Sequence, residues 1–177
     1  LENIVNGLNL KKYRVFILSY LDRDDSTVVK KLERQGFIVN NIKLNSKFDI
    51  ITRGVKLLND FIANNNIDIV HSHGILPDIS NVKSASKIKV TTIHDNMFED
   101  YINSFGKIKG KLFIKWHLHY LKKMDNCICC SSSSYEEIKK IIRRSQYIRN
   151  AIYIDRIDNK KYFNERQSIR EKYHIAA

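Results

Sequence analysis

The stretch NIDIVHSHGILPDISNVKSASKIKVTTIHDN, residues 66–96, decides the fold that this sequence predicts. It contains two short apolar runs rich in β-branched residues, and each run ends in histidine. The first, residues 67–70, leads into His71 and His73, and the second ends at His94. Continuous apolar runs of this kind are typical of strands buried on both faces, in parallel sheets covered by helices. Ligands bind at the carboxyl edge of such sheets, so the stretch indicates half of an enzyme site.

Strand-like and helix-like segments alternate along the rest of the chain. The patterns predict strands at residues 13–19, 37–44, 67–71, 88–93, 126–130 and 147–150. They predict helices at residues 2–10, 26–33, 48–64, within 75–85, and at 106–124, 135–144 and 164–173, whereas residues 95–105 show no regular period. Alternation of this kind predicts an α/β fold, with a Rossmann-like open parallel sheet and helices on both faces.

The composition limits the possible partners and locations. The 177 residues are the size of one domain, and 43% of them are hydrophobic. No apolar run is long enough to span a bilayer and no signal-peptide pattern opens the sequence, so we predict a cytoplasmic protein. The first residue is Leu1 rather than methionine, which suggests that further sequence lies upstream. The formal net charge of +12 predicts an anionic partner, such as nucleic acid, acidic lipid or a phosphorylated small molecule.

Three cysteines, Cys127, Cys129 and Cys130, fall within one apolar run. Neighbours this close do not form an ordinary disulfide framework. On a buried strand Cys127 and Cys129 share one face, so packing in the core as small hydrophobic side chains is the favoured interpretation.

Four phrases, in this order, carry a resemblance to a known family: NNIDIVHSHG, KVTTIHDN, DNCICCSSSSYEEI and YIRNAI. Together they resemble the N-terminal domain of retaining GT-B glycosyltransferases of the family 4 type, whose second domain carries a Glu-x7-Glu motif. The resemblance covers essentially the whole chain. It implies that residues 1–177 form the acceptor-side Rossmann-like domain, without its first strand and glycine-rich loop, and that the C-terminal nucleotide-sugar-binding domain is absent.

The activity implied by the resemblance is transfer of a hexose from a nucleotide-sugar to a saccharide or lipid-linked acceptor (EC 2.4), of the sort used in bacterial surface polysaccharide synthesis. The fragment alone is expected to be inactive. No cofactor is implied, because the nucleotide-sugar is a substrate and is bound mainly by the second domain.

The resemblance places His94 beside the transferred sugar, as the candidate catalytic residue. An imidazole there would orient the sugar through a hydroxyl group rather than transfer a proton. The alternative is a histidine held by its own loop. His71 and His73 line the acceptor cleft in one interpretation and are structural in the other. The full set of substrate-binding candidates is His71, His73, Gly74, Asp95, Asn96, Ser131 and Asn150. In the last phrase Ala151 and Tyr153 replace the family's usual glycine and acid, which leaves the turn after Asn150 in doubt.

A metal site is the other interpretation of the histidine pair, because His-x-His is a ligand spacing to which His94, His117 and His119 could contribute. Gly74, Ile75 and Leu76 follow the pair, where a metallohydrolase would carry further acidic residues and histidines. We therefore predict no metal.

The predicted helix at residues 106–124 is rich in lysine and in aromatic residues. Lys111, Lys115 and Lys122 fall in one narrow stripe at 100° per residue, and apolar residues, Trp116 among them, occupy most of the remaining circumference. The four residues are candidates for contact with an anionic membrane surface, which would place the protein at the inner face of the cell membrane. The alternative is a buried helix with a solvated lysine stripe.

Two other functions remain open from the sequence. A sugar-nucleotide epimerase of the same architecture would share this domain. A basic α/β module that binds nucleic acid is suggested by charge alone, but the lysines are spread over several elements and no motif of aromatic and basic residues for nucleic-acid recognition is visible.

Overall fold

The computed structural model describes residues 4–5, 7–21, 27–94, 96–150 and 159–174. The strands are β1 (Phe16–Leu21), β2 (Ile38–Leu44), β3 (Ile69–His73), β4 (Ile88–Ile93), β5 (Asn126–Cys129) and β6 (Ser145–Tyr147). The helices are α1 (Thr27–Arg34), α2 (Arg53–Asn65), α3 (Ile75–Lys83), α4 (Met97–Leu121), α5 (Ser132–Ile138) and α6 (Asn159–Lys172), with a 3₁₀ helix at Phe48–Ile51.

The chain divides into two compact units. The larger unit, Asn9–Asn150, contains β1 to β6 and α1 to α5. The smaller unit combines Leu1–Leu8 with Ala151–Ala177 and contains α6.

The structure confirms the predicted α/β class with parallel strands. The described strands form two hydrogen-bonded sheets, β1–β2 and β3–β4–β5–β6 in that order, and every pair is parallel. In the larger sheet sequential strands are spatial neighbours, and helices connect β3 to β4, β4 to β5 and β5 to β6. The carboxyl ends of β3, β4 and β5 therefore meet at one edge.

A hydrophobic cluster fills the space between the larger sheet and its helices. Cys127 and Cys129 are fully buried in it and are free thiols, which confirms the packing role predicted for them. Burial raises the pKa of Cys127 to about 12 and that of Cys129 to about 11, so both stay protonated at neutral pH. The buried members of the cluster are Ile93, Met97, Leu121, Met124, Cys127, Cys129, Ile138 and Ile142.

The largest departure from the predicted elements is at α4. Residues 95–105 were expected to show no regular period, but α4 begins at Met97, where the Asn96 side chain accepts a hydrogen bond from the Phe98 backbone N–H (3.1 Å). Gly106 is not the start of the helix but a kink within it, with φ 77° and ψ 168°. Two helical segments meet there and bury different sides, so no single 3.6-residue period runs through the sequence.

Smaller differences affect the ends of other elements. β1 begins three residues later than predicted, α5 runs over residues 132–138 instead of 135–144, and β6 precedes its predicted position by two residues. The segment at residues 75–85 is mostly helical, as α3. The predicted helix at residues 2–10 lies partly outside the described residues; within it residues 4–5 are helical and residues 7–10 are not.

A buried carboxylate joins α3, α4 and the sheet. Asp78, which is 1% exposed, accepts hydrogen bonds through Oδ1 from the hydroxyls of Ser72 and Thr91, both at 2.7 Å. Its Oδ2 lies 2.8 Å from Nε2 of His117, whose Nδ1 is 2.8 Å from the hydroxyl of Tyr101. Burial, followed by the charge of Asp78, raises the pKa of Tyr101, so this hydroxyl stays protonated and can donate to His117. We call these five residues the Asp78 network.

We predict that Asp78→Ala lowers the free energy of unfolding by about 3 kcal/mol or more, because two hydroxyls and an imidazole lose their buried partner. Urea denaturation followed by circular dichroism measures the change. Asp68→Ala is the control, since the Asp68 carboxylate is exposed and pairs with the exposed Lys87. A loss no larger for Asp78→Ala than for Asp68→Ala would contradict the structural role of the network.

Candidate functional site

Three histidines form a row at the carboxyl edge of the larger sheet. His71 and His73 occupy alternate positions of β3 and point to one face, so their rings stack with centroids 4.7 Å apart. His94 follows the last residue of the neighbouring β4, and its ring stacks on that of His73 at 5.1 Å. We call His71, His73 and His94 the histidine row. The juxtaposition predicted from the two histidine-tipped strands is therefore present.

Hydrogen bonds fix the orientation of the row. Nδ1 of His73 lies 2.9 Å from Nε2 of His94, and Nε2 of His71 lies 2.7 Å from the hydroxyl of Thr92. Cys130 follows β5 and extends the row to a third strand, since its Sγ lies 3.8 Å from Nδ1 of His94. The Cys130 N–H also donates to the carbonyl of Ile93 (3.1 Å), which holds the ends of β4 and β5 together beside His94.

One buried ring nitrogen of the row has no partner among the described residues. Nε2 of His73 is buried and makes no hydrogen bond there, while Nδ1 of the same ring is bonded to His94. A buried polar atom in this state costs about 1–3 kcal/mol relative to a satisfied one. A ligand with a hydroxyl at this edge of the sheet would recover that energy.

Two members of the row are neutral at pH 7. Burial, reinforced by repulsion from the other two histidines, lowers the pKa of His73 to about 4. Burial also lowers the pKa of His71, against the opposing attraction of the Asp78 carboxylate. His71 and His73 therefore offer hydrogen bonds at neutral pH but no positive charge, which suits them to orient a ligand rather than to neutralise a phosphate.

Three of the predicted substrate-binding residues occupy helix N-caps at this same edge. Gly74, with φ 92° and ψ 161°, stands directly before α3, Asn96 caps α4, and Ser131 caps α5 by accepting from the Ser134 N–H (3.2 Å). The positive ends of three helix dipoles consequently lie along the edge that carries the histidine row.

The remaining predicted positions lie elsewhere or cannot be placed. Asn150 is exposed and lies three residues beyond β6, the strand next to β5. Asp95 lies outside the described residues.

The four residues predicted to meet a membrane lie on or just beyond the second half of α4. Lys111, Lys115 and Lys122 are exposed. Trp116 is half-buried, with its ring against those of Phe113 (centroids 6.0 Å apart) and Tyr120 (6.1 Å). Among the described residues, no helix is both long and apolar enough to cross a membrane.

Of the three histidines proposed as additional metal ligands, His94 lies beside the His71–His73 pair, whereas His117 and His119 do not. His117 is committed to the Asp78 network, and His119 is exposed on α4. Within the described part of the chain, no group of three or more histidine, cysteine or acidic side chains is arranged to hold a metal ion.

Two features of the site were not predicted from the sequence. Cys130 was assigned to the core together with its neighbours, but it extends the histidine row. The Asp78 network, which lies below the strands that carry the histidines, was also missed. Its members are far apart in the sequence, and no local pattern marks Asp78 or His117 as partners.

Comparison with known proteins assigns the family. Residues 1–156 match the family described as Glycosyltransferase Family 4, and since the match spans most of the chain, the chain belongs to that family. The fold is similar to that in the crystal structure of a glycosyltransferase from Rickettsia africae ESF-5, with 21% sequence identity and a TM-score of 0.61. That alignment covers 99% of this chain and 45% of the other, so the chain spans less than half of the neighbour's length. No curated protein gives a significant match.

The lowered pKa of His73 predicts a pH dependence of stability. Between pH 6.5 and pH 4 the unfolded chain binds a proton at His73 that the folded chain excludes, so the free energy of unfolding falls as the pH falls. We expect a contribution on the order of 1–2 kcal/mol, because solvent reaches part of the ring. To measure this contribution, the free energy of unfolding is determined for the native chain and for His73→Asn at pH 7 and at about pH 4.5. The contribution is the amount by which the difference between the two proteins changes with pH.

Other groups titrate over the same range, so the matched variant His119→Asn is the control. His119 is exposed on α4, and its variant should follow the pH profile of the native chain. Parallel profiles for the native chain and His73→Asn would show that His73 is not held neutral by the fold.

Proposed function

We propose that this chain is the N-terminal, acceptor-side domain of a retaining GT-B glycosyltransferase. The enzyme transfers a hexose from a nucleotide-sugar to a saccharide or lipid-linked acceptor, in bacterial surface polysaccharide synthesis at the cytoplasmic side of the membrane. The observation that carries the proposal is the histidine row, with an unpartnered buried Nε2 of His73 at the carboxyl edge of the sheet, in a chain that belongs to Glycosyltransferase Family 4.

In this proposal His94 contacts the transferred sugar. Its two ring nitrogens are held unequally: Nε2 makes a 2.9 Å bond to His73, whereas Nδ1 faces the thiol of Cys130 at 3.8 Å. Sulfur is a weak hydrogen-bonding partner, so a sugar hydroxyl displaces it at little cost. The bond to His73 keeps the ring oriented during the exchange, and His94 acts by positioning the sugar.

The other edge residues contribute to substrate binding in different ways. Nε2 of His73 bonds a substrate hydroxyl, and His71, held by Thr92, supports the stacked ring of His73. The side-chain oxygens of Asn96 and Ser131 are engaged in capping, so Asn96 would contact substrate through its amide nitrogen. Contacts from Gly74, Asp95 and Asn150 remain part of the proposal.

A second domain is needed for the chemistry of the leaving group. In a retaining transfer of this type, the diphosphate departs and the acceptor attacks on the same face of the sugar, with no protein nucleophile and no metal or other cofactor. The departing diphosphate requires compensating positive charge. Neutral His71 and His73 do not supply it, and the helix dipoles at this edge supply only part.

We therefore assign the donor nucleotide and the main cationic groups to a C-terminal domain, and a glycine-rich loop to a strand that precedes β1. The 45% coverage of the structural neighbour supports this division. The 177-residue chain alone is expected not to turn over.

We predict that His94→Ala lowers kcat of the complete natural polypeptide by about 100-fold, because the sugar loses its positioning contact. The assay follows donor consumption and product formation with a panel of nucleotide-sugars. His94 is exposed, so the midpoint of thermal unfolding should not change. His119→Ala, at another exposed histidine, is the control and should retain native turnover.

Unchanged turnover in His94→Ala would remove His94 from the site while leaving the transferase proposal standing. Conversion of a nucleotide-sugar to its epimer without transfer would replace the proposed function with that of a sugar-nucleotide epimerase. Absence of any reaction with the native polypeptide would contradict both enzyme proposals.

A further inference from the structure

Apolar and basic side chains are exposed next to one another at the kink of α4. Three large apolar residues stand open to solvent there: Phe105 is 47% exposed, Ile108 is 80% exposed and Leu112 is 64% exposed. The lysines Lys107, Lys109, Lys111 and Lys115 lie among or beside them, and all four are exposed. We call these seven residues the bend surface.

Close packing of the two α4 segments holds these side chains outside the core. At Gly110 an added Cβ would lie 2.6 Å from the carbonyl oxygen of Tyr101 and 2.7 Å from Cα of Ile102, so the segments touch through their backbones. Phe105 stacks on Phe113 across the kink, with ring centroids 4.6 Å apart. Since the first segment covers the Gly110 side of the second, Ile108 and Leu112 on its other side are left exposed.

Helical spacing places apolar and basic side chains on one face of the helix. Ile108, Lys111, Leu112 and Lys115 are separated by three and four residues, so they form a continuous strip of neighbouring side chains. Lys122, just beyond the helix, continues the angular position of the lysines. The sequence from Tyr101 to Met124 contains no aspartate or glutamate, so the lysines of the bend surface have no acidic neighbour in their own segment.

We propose that the bend surface binds an anionic phospholipid membrane. Ile108 and Leu112 enter the boundary between headgroups and acyl chains, and the lysines reach up to the lipid phosphates. Trp116 is half-buried against Phe113 and Tyr120, so it is not among the side chains that enter the membrane. The proposal rests on exposure and charge and does not depend on the transferase activity.

Other occupants fit this chemistry less well. The most exposed residues are aliphatic, and they neither stack on bases nor bind nucleic-acid phosphates. A second copy of the chain, docked through the same surface, would bring lysines against lysines. A lipid bilayer presents an anionic layer over an apolar one, which matches both kinds of side chain.

Cosedimentation of the 177-residue chain with vesicles tests the proposal. We expect the chain to sediment with vesicles of equimolar phosphatidylcholine and phosphatidylglycerol, and much less with phosphatidylcholine alone. The double variant Ile108→Ser/Leu112→Ser should bind the anionic vesicles about tenfold more weakly, because the inserted apolar area is lost. Lys111→Gln/Lys115→Gln should weaken binding by about 30-fold.

Matched variants separate this surface from the general effect of a basic protein. Phe48→Ser removes an apolar side chain that is 70% exposed, and Lys47→Gln/Lys56→Gln removes two exposed lysines elsewhere. Both controls should bind as the native chain does. All seven positions are exposed, so circular dichroism should show native folding for every variant.

Two results would overturn the proposal. In one, the lysine control weakens vesicle binding as much as Lys111→Gln/Lys115→Gln, and Ile108→Ser/Leu112→Ser binds normally, which would mean attraction by net charge alone. In the other, Ile108→Ser/Leu112→Ser weakens binding to a random DNA duplex as much as to vesicles, so that the surface is not selective for lipid.

Discussion

The buried carboxylate of Asp78 connects α3, α4 and the larger sheet, the elements on which both proposed sites lie. It accepts hydrogen bonds from β3, β4 and α4, and it lies in α3, which begins immediately after the histidine pair. A charge in this position is tolerated only because hydrogen bonds from three partners replace water. The hydrogen bonds of Asp78 to Ser72, Thr91 and His117 therefore hold α4 against the sheet. Both the edge that carries the histidine row and the helix that carries the bend surface depend on this single group.

Sequence patterns were informative where the deciding interactions are local. The strands that end at His73 and before His94 were predicted because a run of β-branched apolar residues is visible in the sequence itself. Parallel pairing then implied that both histidines lie at the same edge of the sheet. The outcome differs for Asp78 and His117, 39 positions apart, and for His94 and Cys130, 36 apart. Such pairs depend on which strands become neighbours, and an isolated sequence does not specify this. For the same reason the sequence did not show that β1 and β2 pair in a sheet apart from β3 to β6.

The kink at Gly106 explains why the first part of α4 was not recognised as a helix in the sequence. In the segment before the kink Met97 is buried and Tyr101 is half-buried. In the segment after it Gly110 and His117 are buried. Each segment follows its own helical period, and the change of phase between them looks like the absence of a period. Gly110 provided no sequence signal either, although its missing side chain allows the close contact between the segments.

The hydrogen bond between His73 and His94 has a consequence for ligand selectivity. A neutral imidazole carries one N–H, so if His94 donates to Nδ1 of His73, the free Nε2 of His73 is a donor, and if His73 donates, that Nε2 is an acceptor. The two arrangements differ only in proton positions and leave the net charge unchanged. A hydroxyl group, which both donates and accepts, satisfies either arrangement, whereas a carboxylate or an ammonium group satisfies only one. A substrate hydroxyl, as proposed for this edge, therefore binds without a shift of protons between the two histidines, whereas an ion would fix one arrangement.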